Sequence, residues 1–168
     1  MAFTARKVGN FEMLTPVENV LPMRTLPVAD PTLLDPNDAN SLLQGEILVV
    51  NASYQLERPA GVALDKIVGM GFILFHDQGS SDGQVIADPS ANVIIGGPME
   101  FKTRIFDGAG PALGDVVCIQ LVSDGGTRVC GGLGIFDPAV DYALGVLPFG
   151  FVTRTAASND GWLQVVRL

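Results

Sequence analysis

From about residue 30 to its end the chain never runs far without a breaker: apolar or alternating stretches are cut by clusters of Gly, Asn, Asp and Pro about every ten to fifteen residues. A chain punctuated in this way has no room for long helices, so it reads as all-β. Strands are expected over residues 46–51, 66–76, 84–87, 92–95, 99–106, 115–122, 127–136, 147–155 and 162–167. The stretch "MEFKTRIFD" alternates in part, as a strand with one wet face does. In contrast, "VVCIQLV" is almost continuously apolar, the signature of a strand covered on both sides. Two hairpins are signalled, by Asp124-Gly125-Gly126 in "VSDGGTRV" and by Asn159-Asp160-Gly161 ahead of a closing strand that ties the C-terminus into a sheet. The expected fold is a single β-barrel or β-sandwich domain over residues 45–168.

Residues 1–44 follow another rule. Pro16, Pro22, Pro27, Pro31 and Pro36 recur every few positions, which excludes an interior strand or a long helix and points to an extended arm. A short helix is expected near residues 36–43, with Asp35 as N-cap, Pro36 in its first turn and Gly45 after its last. Such a helix is too short to stand alone, so Leu42 and Leu43 are expected to dock on the chain's own body. The arm also spaces apolar anchors, Phe11, Met13, Leu14, Leu21, Met23, Leu26, Leu33 and Leu34, along a segment suited to lying on another subunit. The expected protein-binding set is Leu26, Pro27, Pro31, Leu33, Leu34, Pro36, Leu42 and Leu43, with the Leu33-Leu34 pair reaching a neighbour.

Charge narrows the partners. The net charge is −8, and the excess is concentrated in residues 30–100, where ten acids (Asp30, Asp35, Asp38, Glu46, Glu57, Asp65, Asp77, Asp82, Asp88, Glu100) face Arg58 and Lys66 alone. Phosphate-backbone binding rests on clustered Lys and Arg, so nucleic acid is not an expected partner. No run approaches the roughly 18 apolar residues of a membrane helix. The start, "MAFTARKVGNFEML", lacks the apolar core of a secretory signal, so the expected compartment is a cytosol, with Cys118 and Cys130 as reduced thiols rather than a disulfide. The apolar fraction of 48% against 17% charged, with Arg over Lys seven to three, suits a protein interface.

Chemistry-bearing motifs are sparse. His76 is the sole histidine, so a multi-histidine metal site is excluded and a Ser-His-Asp arrangement would have to use it; a strand-end histidine is the plainer reading. Asp77, Asp82 and Asp88 could offer oxygens to Ca²⁺ but lack EF-hand spacing and read as a turn. The glycine patterns "GAGPALG" and "CGGLG" fit neither a dinucleotide fingerprint nor a P-loop. Neither catalytic residues nor a cofactor or metal site are expected.

The phrases "DPTLLDP" (a D-P-x-L-L-x-P stretch), "LLQGE" opening a strand, "YQLER" and the closing "GFV…GWL" resemble, in that order, the capsid decoration or cement proteins of tailed bacteriophages. The resembling parts, residues 28–58 and 150–168, cover about a third of the chain; residues 59–147 do not align. The resemblance implies a β-barrel or β-tulip body on the outside of an icosahedral head, made in the host cytoplasm and arranged as a homo-dimer or homo-trimer. Its arm would bridge major capsid proteins. The alternative is another virion part, from tail, baseplate or head fibre, with a glycan-binding face built on the lone Trp162. A third reading, a small β-barrel enzyme, would rest on His76 and Asp77.

Overall fold

The structure, a computed structural model, describes residues 11–15, 23–35, 38, 41–59, 72–76, 89–108, 110–121 and 131–167; for residues 23 and 72–76 it describes the backbone. The strands are β1 (Phe11–Met13), β2 (Met23–Pro27), β3 (Ile47–Val50), β4 (Leu56–Glu57), β5 (Phe72–His76), β6 (Ser90–Ile94), β7 (Met99–Thr103), β8 (Val116–Ile119), β9 (Leu133–Ile135), β10 (Gly150–Arg154) and β11 (Leu163–Arg167). Among the described residues the one α-helix, α1 (Pro138–Asp141), is a single turn capped by Asp137, whose carboxylate accepts from the Ala139 N–H at 2.9 Å.

These strands form two antiparallel sheets, one of six strands in the order β1-β7-β11-β10-β8-β9, the other of five in the order β2-β6-β5-β3-β4. The alternating "MEFKT" buries Met99, Phe101 and Thr103 and turns Glu100 and Lys102 outward. The continuous "VVCI" is covered on both faces from Val117 to Ile119, with Val116 exposed at its start: Val117 and Ile119 lie in the main core with Phe101, Phe149, Leu163 and Val165, while Cys118 packs behind the sheet with Val49, Leu121 and Val146. Ile47 of β3 and Ile94 of β6 also enter the main core, so the two sheets share it. A further cluster (Val28, Leu34, Leu42, Leu48, Val50, Leu56, Ala91 and Val93) belongs to the five-stranded sheet alone.

The barrel expectation is corrected, because neither sheet is a closed barrel. The five-stranded sheet bends until its two edges touch at a single point, and in the six-stranded sheet the β9 edge meets the chain that follows β7. Val28 makes an isolated parallel bridge to Leu56, joining the β2 edge to β4, and Phe106 makes another to Leu133, joining the chain after β7 to β9. One bridge is not a ladder.

The arm expectation is corrected where it can be seen. β1 pairs with β7 from Phe11↔Thr103 to Met13↔Phe101, and β2 pairs with β6 over its whole length, so residues 11–13 and 23–27 are edge strands of the body. Prolines exclude interior strands but not edges, whose outward N–H groups need no partner. Of the helix expected near 36–43, residues 36, 37, 39 and 40 lie outside the described residues. Asp38 and residues 41–43 are not helical, whereas Pro31–Leu34 form a single 3-10 turn one Asp-Pro pair earlier. The strand expected at 84–87, the Asp124 turn, Cys130, Asp77, Asp82 and Asp88 lie outside the described residues.

Deleting residues 1–40 therefore removes Phe11, Val28 and Leu34 from two cores, and is expected to abolish cooperative thermal unfolding. Leu34→Ala, which leaves a cavity at a site 1% exposed, is expected to cost about 2–5 kcal/mol in urea denaturation.

Candidate protein-binding surface

The segment from Val28 to Arg58 closes on itself. Because Asp30 precedes Pro31, its backbone is extended (φ −119°, ψ 110°) and its carboxylate is free to cap the turn that follows. Asp30 Oδ1 accepts from the Thr32 hydroxyl at 2.7 Å and the Thr32 N–H at 2.9 Å, and these bonds, the hydroxyl first, hold the carboxyl below its ordinary range. The turn aims Leu34 inward, and Asp35, extended ahead of Pro36, ends it. Leu42, wholly buried, then donates its N–H to the Leu33 carbonyl at 2.8 Å, and Ala29 donates to the Leu56 carbonyl at 2.9 Å.

An ion pair between a buried carboxylate and a half-buried guanidinium fixes the other end. Glu46 is 2% exposed; its carboxylate accepts from Arg58 Nε and, at 3.1 Å, from Nη2, while the Leu43 N–H donates to Oε2 at 2.9 Å. Gly45, beside this pair, lets the Phe11 side chain of β1 approach closely. Its φ of +84° suits glycine, and a Cβ there would collide with the Phe11 ring. A buried carboxylate so fully bonded costs little while Arg58 is present and much without it.

Between these anchors the β3–β4 hairpin carries a rigid tip. Asn51 Oδ1 accepts from the Ser53 and Gln55 N–H groups at 2.9 and 3.0 Å, and the Tyr54 N–H donates to the Asn51 carbonyl at 3.0 Å. These bonds hold Tyr54 at φ 60°, a conformation costing a non-glycine residue about 1–2 kcal/mol, with the residue 76% exposed. Gln55, the next residue, lines a groove of about 490 Å³ with Thr25, Pro27, Val28, Ala29, Pro31, Pro89 and Ser90. Its walls are rigid prolines and its polar points are a hydroxyl and amide set. The arrangement offers binding groups and no reacting centre.

The structure brings Pro27 and Pro31 together in that groove and buries Leu34 and Leu42 beneath it. Leu26 and Leu33 are half-buried against the same cluster, Leu43 is half-buried, and Pro36 lies outside the described residues. The expectation that the Leu33-Leu34 pair reaches a neighbour is corrected for Leu34, which fills this chain's own core. Tyr54 and Gln55 went unnoticed in the sequence; "NASYQ" between two apolar runs carried a turn signal, but nothing there reports the sign of φ. Trp162 lies under Arg104, whose guanidinium carbon is 4.4 Å from the ring centroid, with Lys102 Nζ at 5.1 Å, so a sugar would have to displace a cation to stack there. His76 ends β5 as a strand-end residue, and Cys118 is a buried thiol. Among the described residues no cluster of His, Cys, Asp or Glu could hold a metal ion, and no helix is long and apolar enough to cross a membrane. No protein-family model, curated protein or solved structure matches the chain.

Arg58→Ala leaves Glu46 buried without its cation and is expected to cost about 3–5 kcal/mol in chemical denaturation. The double variant Glu46→Gln with Arg58→Met is expected to recover most of that loss, since both charges are then gone. Asp30 gives a pH signature of defined sign: its folded-state carboxyl is depressed, so its contribution is present above the unfolded-state value near 3.8 and fades as pH falls through the lower folded one. Relative to Asp30→Asn, the unsubstituted chain is expected to lose stability more steeply in that acid window.

Proposed function

We propose that this chain is a non-enzymatic virion structural protein, a cement or decoration protein that binds the outer surface of a phage capsid and stabilises contacts between major capsid proteins. One observation carries the reading. Most residues that bear the resemblance to cement proteins hold one another: Leu34, Leu42 and Leu56 share a core, and Glu46 grips Arg58. Tyr54, from the same "YQLER" phrase, stands in solvent on a strained and well-bonded tip beside a proline-walled groove. A fold has no use for an exposed aromatic held in a costly conformation, whereas a partner does, since rigid aromatic anchors dominate interface energies.

In this reading the body is sandwich-like and stands on the shell, the groove receives a loop of the major capsid protein, and Tyr54 enters a pocket on it. The stabilisation is mechanical. Each copy adds a modest buried area, and many copies on one lattice raise the free energy of separating capsomers. The surrounding surface bears Asp30 and Asp35, so the matching capsid loop is neutral or basic. Synthesis is in the host cytoplasm and residence is on the virion.

The measurement is binding of purified protein to heads that lack it. Tyr54→Ala is expected to weaken binding by about thirtyfold or more, as loss of an anchor worth about 2 kcal/mol does, with an unchanged melting temperature. Undiminished binding by this variant would overturn the assignment of the surface; no binding by the unsubstituted chain would overturn the function.

A further inference from the structure

The chain has a single tryptophan, and strand register sets it among cations. Leu163 of β11 pairs with Thr103 of β7, so Trp162, one step earlier, stands across from Arg104 on the side of the sheet away from the main core. Gln164 pairs with Lys102 on one flank and with Arg154 on the other, which brings two more cations to that side. The Arg104 guanidinium carbon lies 4.4 Å from the Trp162 ring centroid and Lys102 Nζ lies 5.1 Å from it. Arg154 Nη2 donates to the Ser158 carbonyl at 3.1 Å, in the 3-10 turn (Ala156–Ser158) that leads back to Trp162.

The acids nearby decide what this cluster can still bind. Glu12 is taken by Lys102 at 2.8 Å, and Glu100 accepts from Gln164 Nε2 at 2.6 Å. Asp115 caps its own turn through the Ala112 N–H at 2.8 Å, and Asp107 lies past the buried Ile105, its N–H given to the Leu133 carbonyl of β9. Asp160 remains, exposed two residues before Trp162. Among the described residues neither Asp160 nor Arg104 is in an ion pair. Arg104 and Arg154 against Asp160 leave one net positive charge here, on a chain whose total is −8. One charge suits one carboxylate and is too little for a phosphodiester chain, which is held by clustered Lys and Arg.

An exposed pair of Arg and carboxylate is ordinarily worth little, because two long side chains must be ordered to make it. Stacking removes part of that cost for Arg104. Its flat guanidinium is held on the indole before any ligand arrives, and the N–H groups in its plane stay open to a planar acceptor. A carboxylate fits that fork with two parallel hydrogen bonds. A sugar acid offers the same group but would seek the ring face, which the cations already occupy. A protein side chain needs no such face.

We propose that the stack of Arg104 on Trp162 is a docking site for an acidic protein segment, with Arg104 taking one Asp or Glu side chain edge-on and Arg154 flanking it. The groove beside Tyr54 suits a neutral or basic loop, so the two sites take different segments. This one depends neither on Tyr54 nor on the cement reading.

The lone tryptophan makes the test local, since the indole N–H signal of the full chain in NMR reports this site alone. The probe is the capped tripeptide acetyl-Gly-Glu-Gly-amide at millimolar concentration, without heads, so that the result is read apart from capsid binding. A saturable shift of the indole signal is expected, which the analogue with Gln in place of Glu does not give. Arg104→Gln is expected to weaken binding at least about tenfold; Arg104→Lys, which keeps the charge and loses the planar fork, is also expected to weaken it, and Asp160→Asn to strengthen it. Melting is expected to be unchanged in all three, because both positions are exposed. Equal shifts with the Glu and Gln peptides, or binding indifferent to Arg104→Gln, would sink the site. Tighter binding of glucuronate or inorganic phosphate than of the Glu peptide would sink the acidic protein segment as its occupant.

Discussion

Strand β3 has no wet face, and the rest of the molecule is arranged around that constraint. Its four residues are all buried and divide among three cores: Ile47 enters the cluster shared by both sheets, Leu48 and Val50 the cluster of the five-stranded sheet, and Val49 the cluster behind β8. A strand buried on both faces must be covered twice, and the cover comes from far along the chain. The N-terminal segment supplies Val28, Leu34 and Leu42 on one side, and the chain around Cys118 and Val146 supplies the other. The Glu46–Arg58 pair sits immediately before this strand, and the Ile47 N–H donates to the Gly131 carbonyl at 2.8 Å, so charge and backbone bonding fix its register where apolar packing alone would let it slip.

The sequence expressed the body better than its borders. Runs such as "ILVV" and "VVCI" announce two-sided burial because nothing polar interrupts them, and "MEFKT" announces one-sided burial because something polar does. The N-terminal region was harder to read, since prolines that forbid an interior strand are silent about an edge. The 3-10 turn shows the same limit. Asp30-Pro31, Asp35-Pro36 and Asp137-Pro138 offer the same local capping chemistry, yet among the described residues only the first and last start a turn of helix, and Asp35 instead ends one. What decides between Asp30 and Asp35 is which leucine the core needs at Leu34, a tertiary fact with no local trace.

The candidate surface was half legible for a related reason. Pro27 and Pro31 were readable as rigid, exposed elements and they do line the groove, because proline lacks the N–H that a sheet would claim. The leucines were readable as anchors but not as to whom they anchor; Leu34 and Leu42 serve the chain itself. Tyr54 was invisible because its character comes from Asn51, whose side chain accepts two N–H groups and so imposes a left-handed residue three positions on.

The way the sheets end bears on what kind of contacts this molecule can make. A β-sheet protein with open strand edges is exposed to edge-to-edge pairing, which has no natural stopping point. Here the β9 edge is occupied by the chain after β7, with the Leu133 N–H donating to the Ile105 carbonyl at 3.0 Å and the Asp107 N–H to the Leu133 carbonyl at 2.7 Å. The β2 and β4 edges are tied to each other through Val28, Ala29 and Leu56. β1, three residues long, is the shortest remaining edge of the larger sheet. Among the described residues the β2, β4 and β9 edges are thus engaged and β1 is left, so binding falls mainly to side chains on faces and turns, which have defined extent and symmetry. That restriction favours contacts that close over contacts that propagate.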